Sequence, residues 1–325
     1  MPVERDVKDI VQSLVSQEGP YTVERPFPTN RLAQVDPFIM FDHMCPVTFK
    51  PDEAVGAPLH PHRGHVHLCS RGNERSLIRG LHYNRFEAVT VMLQGELEHR
   101  DSMGNKGLLR AGDVQRLTAG SGVVHDEGPS PNMKRLGGTI ESFQRFKLAD
   151  PAYQDVPKEK IPVIIMNKFI VRVIAGEAFG QKAVVNTKVP IQLLDVHMES
   201  GAEFKHNIPP EMNAFVFVYR GEGRFGKSHQ PGKSGQALIL DTTGAASFTA
   251  VANTESNLKF LLLAGQPINE PIARYGPFVM NTYDEIEKAF ADHAAGKMVL
   301  VKPKFEMETN RQHDYDPTNK DSSIV

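Results

Sequence analysis

The sequence has no tryptophan, and its 325 residues include only two cysteines, Cys45 and Cys69. Two cysteines cannot staple a chain this long, so a disulfide framework is excluded and a reducing compartment is expected. No apolar run approaches the roughly 20 residues that a bilayer-spanning helix requires, so membrane insertion is not expected. Met1-Pro2-Val3-Glu4-Arg5-Asp6 is acidic where a secretory leader is basic, and no apolar stretch follows it; secretion is not expected either. Neither sign of charge dominates, with 37 Lys plus Arg against 39 Asp plus Glu, and no basic block stands out. Direct binding to a phosphate backbone is therefore not expected. The expected location is the cytoplasm, with the nucleus left open.

What the chain has in quantity is punctuation. Its 26 glycines and 23 prolines are spread along the whole length between short apolar runs, the pattern of many short strands. The class is all-β, and the length suggests two domains. Phe86–Leu93 is rich in β-branched residues and breaks at Gln94-Gly95. Glu96–Asp101 then alternates until Met103-Gly104-Asn105, so two antiparallel strands are expected there. Gly112-Asp113 marks a further turn before a strand at Val114. Phe215–Arg220 followed by Gly221-Glu222-Gly223 echoes the first of these segments and suggests an internal duplication.

Leu148–Lys160 is polar with two prolines and reads as a linker, which sets domains at 1–150 and 151–303. Thr282 with Glu285 forms a capping box. Ile286, Ala289 and Phe290 then share one helix face before Gly296 stops the helix, as expected for a packing helix. Residues 304–325 are polar without periodicity and read as a disordered tail.

The chemistry is concentrated in two short pairs. In His60-Pro61-His62 the two imidazoles lie at i and i+2, which an extended strand points to one face. His125-Asp126-Glu127 offers an imidazole and a carboxylate in the same way. Three nitrogens and one oxygen suit Fe(II), Mn(II), Ni(II) or Zn(II). His99 in Glu98-His99-Arg100-Asp101 reads as a hydrogen-bonded strand residue rather than a ligand. His197, His206 and His229 are scattered, so a second metal site is not expected.

His60-Pro61-His62-Arg63-Gly64, the run from Gly112-Asp113-Val114-Gln115 through Thr118-Ala119-Gly120 to His125-Asp126-Glu127, and Gly276-Pro277-Phe278-Val279-Met280-Asn281-Thr282 occur in this order. With Leu32–Asp42 they resemble the pirin family of bicupins, over about residues 25–300. The resemblance implies two cupin (jelly-roll) β-barrels in tandem, the first holding a metal and the second none. It also implies His60, His62, His125 and Glu127 as ligands, usually of iron, with Cu beside the other ions as an alternative. Glu87, a ligand in the general cupin pattern, ranks behind Glu127.

Two activities follow from that resemblance. One is quercetin 2,3-dioxygenase chemistry on a flavonol and dioxygen, with Glu127 taking the substrate's hydroxyl proton. The other is an iron-dependent, redox-sensitive transcription cofactor that binds a transcription-factor protein. A structural protein with a vestigial site is the third reading, and a monomer is the expected state.

The sequence departs from the family pattern twice. Residues 65–85, 21 in all, separate His62-Arg63-Gly64 from Phe86-Glu87 where the family continues almost directly. They read either as a loop or translated intron, or as a lid in which His65 and His67 add ligands. Arg116 stands where the family usually has a tryptophan, which removes an aromatic from beside the pocket.

Overall fold

The computed structural model describes residues 3–65, 87–118, 122–147, 152–185, 187, 189–242 and 244–297. Residues 66–86, which hold most of the interruption, and residues 304–325 of the polar tail lie outside the described residues, as does the side chain of His65. Among the described residues no helix is long and apolar enough to cross a membrane.

The expected all-β architecture of two barrels with a C-terminal helix is present. In the first barrel, a seven-stranded sheet runs in the order Ala152–Val156, Val114–Thr118, Glu87–Gln94, Gly138–Lys147, Met40–Phe49, Tyr21–Phe27, Leu14–Glu18. Facing it, a six-stranded sheet runs Ala273–Tyr275, Phe278–Met280, Ala57–His65, Val123–Pro129, Glu96–Asp101, Lys106–Arg110. Met92, Ile140, Leu97 and Leu109 fill the space at one end. The second barrel repeats the plan with a seven-stranded and a four-stranded sheet around Phe204, Val216, Phe225, Phe248 and Phe260.

The two seven-stranded sheets pack against each other. Phe41, Val89, Val91 and Phe143 of the first barrel share one buried cluster with Phe215, Phe217, Leu261 and Leu263 of the second. A strand between two apolar layers needs apolar residues on both faces, which is why Phe215–Tyr219 reads as an unbroken apolar run.

The two strands expected over Phe86–Asp101 are present as Glu87–Gln94 and Glu96–Asp101, but they belong to opposite sheets of one barrel rather than pairing with each other, and the chain crosses between them at Gly95. Gly95 adopts φ 83°, and a Cβ there would fall 2.4 Å from the Thr139 carbonyl oxygen, so only glycine fits the corner. Gly221, at φ 75°, makes the same crossing between Asn213–Arg220 and Glu222–Phe225, so the echo in sequence is an echo in topology. The expected linker is not wholly a linker: Ala152–Val156 pairs with Val114–Thr118 at the edge of the first barrel.

The chain also exchanges its ends. Val7–Gln12 pairs with Gln236–Leu240 in the second barrel. The buried Arg5 guanidinium anchors this strand by donating to the carbonyls of Pro209, Met212, Asp241 and Ala245 at 2.7–3.0 Å. In return, Phe278–Met280 runs parallel to Arg63–His65 in the first barrel. The helix Tyr283–Ala294 follows, with Ile286 and Ala289 buried on that hairpin.

The capping box is formed as expected: the Glu285 amide donates to Thr282 Oγ1, and the Thr282 amide to the Glu285 carboxylate. Thr282→Ala is expected to cost about 1 kcal/mol in a denaturant titration, and a loss well under half of that would show that the hairpin holds the helix without its cap.

His206 sits in the second barrel, buried, with its Nε2 facing Gln192 Oε1 at 3.2 Å. Burial pushes its pKa down to about 4 from the usual 6.5. Between those values the unfolded chain takes up a proton that the folded chain refuses, so stability is lost as pH falls through that window. Melting temperatures measured from pH 7 to pH 4 should decline, and His206→Gln should flatten part of the decline.

Candidate metal centre

The six-stranded sheet of the first barrel carries the site on three adjacent strands. Val123–Pro129 lies between Ala57–His65 and Glu96–Asp101, antiparallel to both. In that register His125 stands opposite His60 on one side and Asp101 on the other, while Glu127 stands opposite His99. A register shift between His125 and Glu127 marks a bulge on the His60 side, a common way for a strand to re-aim a functional side chain.

Strand alternation then does what the spacing implied. The rings of His60 and His62 lie 4.7 Å apart, His60 and His125 4.3 Å, and His62 and His125 4.9 Å between centroids. Donor atoms of these three histidines come within 4.8 Å of one another. His99, His125 and Glu127 form a second such trio, so His125 belongs to both. Glu127 Oε1 is 3.9 Å from His125 Nδ1 and 3.6 Å from His99 Nδ1. The Glu87 side chain lies outside the described residues.

The surroundings orient these groups. The Pro277 carbonyl oxygen lies 3.2 Å from His62 Nδ1, and with that nitrogen protonated the ring's other lone pair is directed away from it. This contact gives the distant Gly276–Thr282 motif a physical role: its hairpin, parallel to Arg63–His65, brings the carbonyl to the site. Gln144 Nε2 donates to Glu127 Oε2 at 3.3 Å. His99, expected to be a hydrogen-bonded strand residue, is buried between Asp101 and Glu127 and stacks on Tyr153 with ring centroids 5.1 Å apart. Sequence reasoning misses Gln144 and Tyr153, since neither shares a motif with the histidines. Arg116, in place of the usual tryptophan, is buried in Val114–Thr118 opposite Val89 and Gln154.

The electrostatics separate two kinds of histidine. Burial, and then the neighbouring imidazoles, push His125 well below its ordinary range and His62 down to about 3, so both rings stay neutral at pH 7. For His99 burial also acts downward, but the carboxylates of Asp101 and Glu127 outweigh it and raise the pKa to about 9. Burial pushes the Glu127 carboxyl up, yet the His99 contact and charge bring it below the usual range, leaving it ionised.

The group of His60, His62 and His125 fits a divalent ion, while Glu127 falls within the same distance of His125 and His99 rather than of all three imidazoles. His125 Nε2 is buried without a hydrogen-bond partner, a costly arrangement for a ring nitrogen unless something accepts its lone pair. Neutral imidazoles and an ionised carboxylate are the forms that ligate.

A family model described as Pirin matches residues 75–146, and another, the Pirin C-terminal cupin domain, matches residues 193–299. A pirin-like protein of Solanum lycopersicum is 36% identical over 294 residues, covering 90% of this chain and 91% of that one. Pirin of Homo sapiens is 32% identical over 281 residues, 85% of this chain and 87% of its own. A crystal structure of quercetin 2,3-dioxygenase from Acinetobacter baumannii superposes with a TM-score of 0.78 at 32% identity, over 90% of this chain and 98% of that one. The ordered motifs, the paired barrels and relatives matched over most of their length lead to one assignment: this chain belongs to the pirin family.

Proposed function

We propose that this chain is a metal-dependent oxidoreductase of the quercetin 2,3-dioxygenase kind, with one divalent ion, iron(II) first, held by His60, His62, His125 and Glu127 and a flavonol as substrate. The observation that carries this reading is the unpartnered, buried His125 Nε2 within a group of three close imidazoles. The likeness to the Acinetobacter dioxygenase supports the reaction class.

When bound, the ion supplies Lewis-acid polarisation of the substrate's 3-hydroxyl and carbonyl oxygens. The chain's own part is proton handling and positioning. Glu127, kept ionised beside His99, takes the 3-hydroxyl proton, which raises electron density on the ring that dioxygen attacks. Gln144 holds the second carboxylate oxygen, so Glu127 cannot swing freely. His62 is fixed by the Pro277 carbonyl, so its ring does not have to be ordered during turnover.

The test is a flavonol added anaerobically to metal-loaded protein, followed by oxygen. Loss of flavonol absorbance matched by oxygen uptake is expected, with both abolished by a chelator. Metal-loaded protein that leaves the flavonol unchanged would overturn the enzymatic reading.

A further inference from the structure

A second cluster of metal-ligating residues lies on the other sheet of the first barrel. Glu24 and His43 stand directly opposite each other on Tyr21–Phe27 and Met40–Phe49, and Cys45 follows His43 at i+2 on the same face. Glu24 Oε2 pairs with His43 Nδ1 at 2.9 Å, a contact that a bound ion would replace by displacing the Nδ1 proton, and Cys45 Sγ is 4.0 Å from the same nitrogen. One donor atom from each of the three residues falls within 4.8 Å of the others.

The far side of the ring is already organised. His43 Nε2 faces Glu141 Oε1 at 3.0 Å, and Glu141 is itself held by Gln94 at 2.8 Å and by Arg220 of the second barrel at 2.5 Å. Glu141 sits where the pairing of Gly138–Lys147 shifts register against both neighbouring strands, a bulge in the middle of a sheet. Such a bulge aims a side chain that the regular alternation would place elsewhere. The His43 ring packs tilted by 33° against Phe143, with centroids 4.8 Å apart, which restricts the plane of its ring.

We propose that Glu24, His43 through Nδ1 and Cys45 form a zinc site separate from the three-histidine centre, with Glu141 accepting from His43 Nε2–H and solvent completing the coordination. A thiolate, an imidazole and a carboxylate make the mixed set that zinc favours. A carboxylate behind the histidine is the usual means of fixing the tautomer and strengthening the ligand. Glu24 and Cys45 are partly exposed while His43 and Glu141 are buried, so an ion would enter from the Glu24 and Cys45 side onto a ring held from behind.

Cobalt(II) is a zinc substitute that reports its ligands, because only a sulfur ligand gives an intense thiolate-to-cobalt charge-transfer band in the near ultraviolet. Titration of metal-free full-length protein with cobalt should produce that band. Cys45→Ser should remove it while leaving cobalt binding at the histidine centre, and His60→Ala should keep it. Glu141→Gln should weaken the band-forming affinity by about 10–100-fold. Absence of the band in the wild-type protein, or its persistence in Cys45→Ser, would overturn the proposal. Neither outcome bears on the flavonol reaction, whose site has no sulfur donor among the described residues. Should Cys45→Ser fail to fold, Glu24→Gln at its partly exposed position replaces it: a weakened band supports the site, and an unchanged band overturns it.

Discussion

His125→Ala is expected to leave the histidine centre unable to retain iron(II) after anaerobic dialysis against a weak chelator, whereas the wild-type protein keeps close to one iron per chain there. His125 is the residue on which both donor trios converge, one through His60 and His62 and the other through His99 and Glu127. Its strand lies between the other two, so no neighbour reaches the vacated position without breaking the register. Removing a group that only supports a ligand typically costs 10–100-fold in affinity, and removing the shared ligand should cost more than about 100-fold. His99→Ala is the informative contrast, because as a supporting residue it should weaken binding within that smaller range. Stability should follow by linkage: metal at 100 times its dissociation constant adds about 2.7 kcal/mol to the wild-type protein. His125→Ala should lose that metal-dependent rise in melting temperature. Equal metal retention by both variants would show that His125 is not a ligand.

Phe215→Ala should have the largest effect on stability, about 3–5 kcal/mol. Its ring is fully buried between the barrels and meets Phe27, Phe38 and Phe41 edge-on at 5.1, 5.5 and 5.7 Å. Truncation would open a cavity lined by both seven-stranded sheets, where neither sheet can close the gap without shifting the other. Since Val7–Gln12 and the hairpin at Ala273–Met280 also tie each barrel to the other, the loss should appear in the unfolding of both. Denaturant titrations followed by near-ultraviolet tyrosine signal and by far-ultraviolet dichroism should shift together. A loss below about 1 kcal/mol, or two separated transitions with only one of them moved, would contradict a shared core.

The legibility of the sequence follows the range of the interactions involved. His60-Pro61-His62 and His125-Asp126-Glu127 can be placed on strand faces because a period of two needs only three residues. The helix after Thr282 is equally readable, since its cap is a contact between positions three residues apart. Gly95 shows where local reading stops. A glycine with positive φ serves a hairpin and a corner between sheets equally well, and the choice is made by partners far along the chain. Ala152–Val156 reads as linker because its edge position demands apolar residues on only part of its length.

The contacts that complete the candidate site are out of reach for the same reason. Pro277 meets His62 across 215 positions. Gln144 reaches Glu127 from the opposite sheet, and nothing in the spacing of either marks the pairing. In the sequence Arg5 is one charge among many, yet it is fully buried against four carbonyl groups of the second barrel.

Whether one divalent ion lies among His60, His62, His125 and Glu127 decides the functional reading. Crystals of iron-loaded full-length protein, measured on both sides of the iron absorption edge, would locate it. One strong anomalous peak bonded to those four side chains is expected, with His99 behind Glu127. An iron-loaded crystal with no peak there, or a peak ligated by other residues, would contradict the assignment.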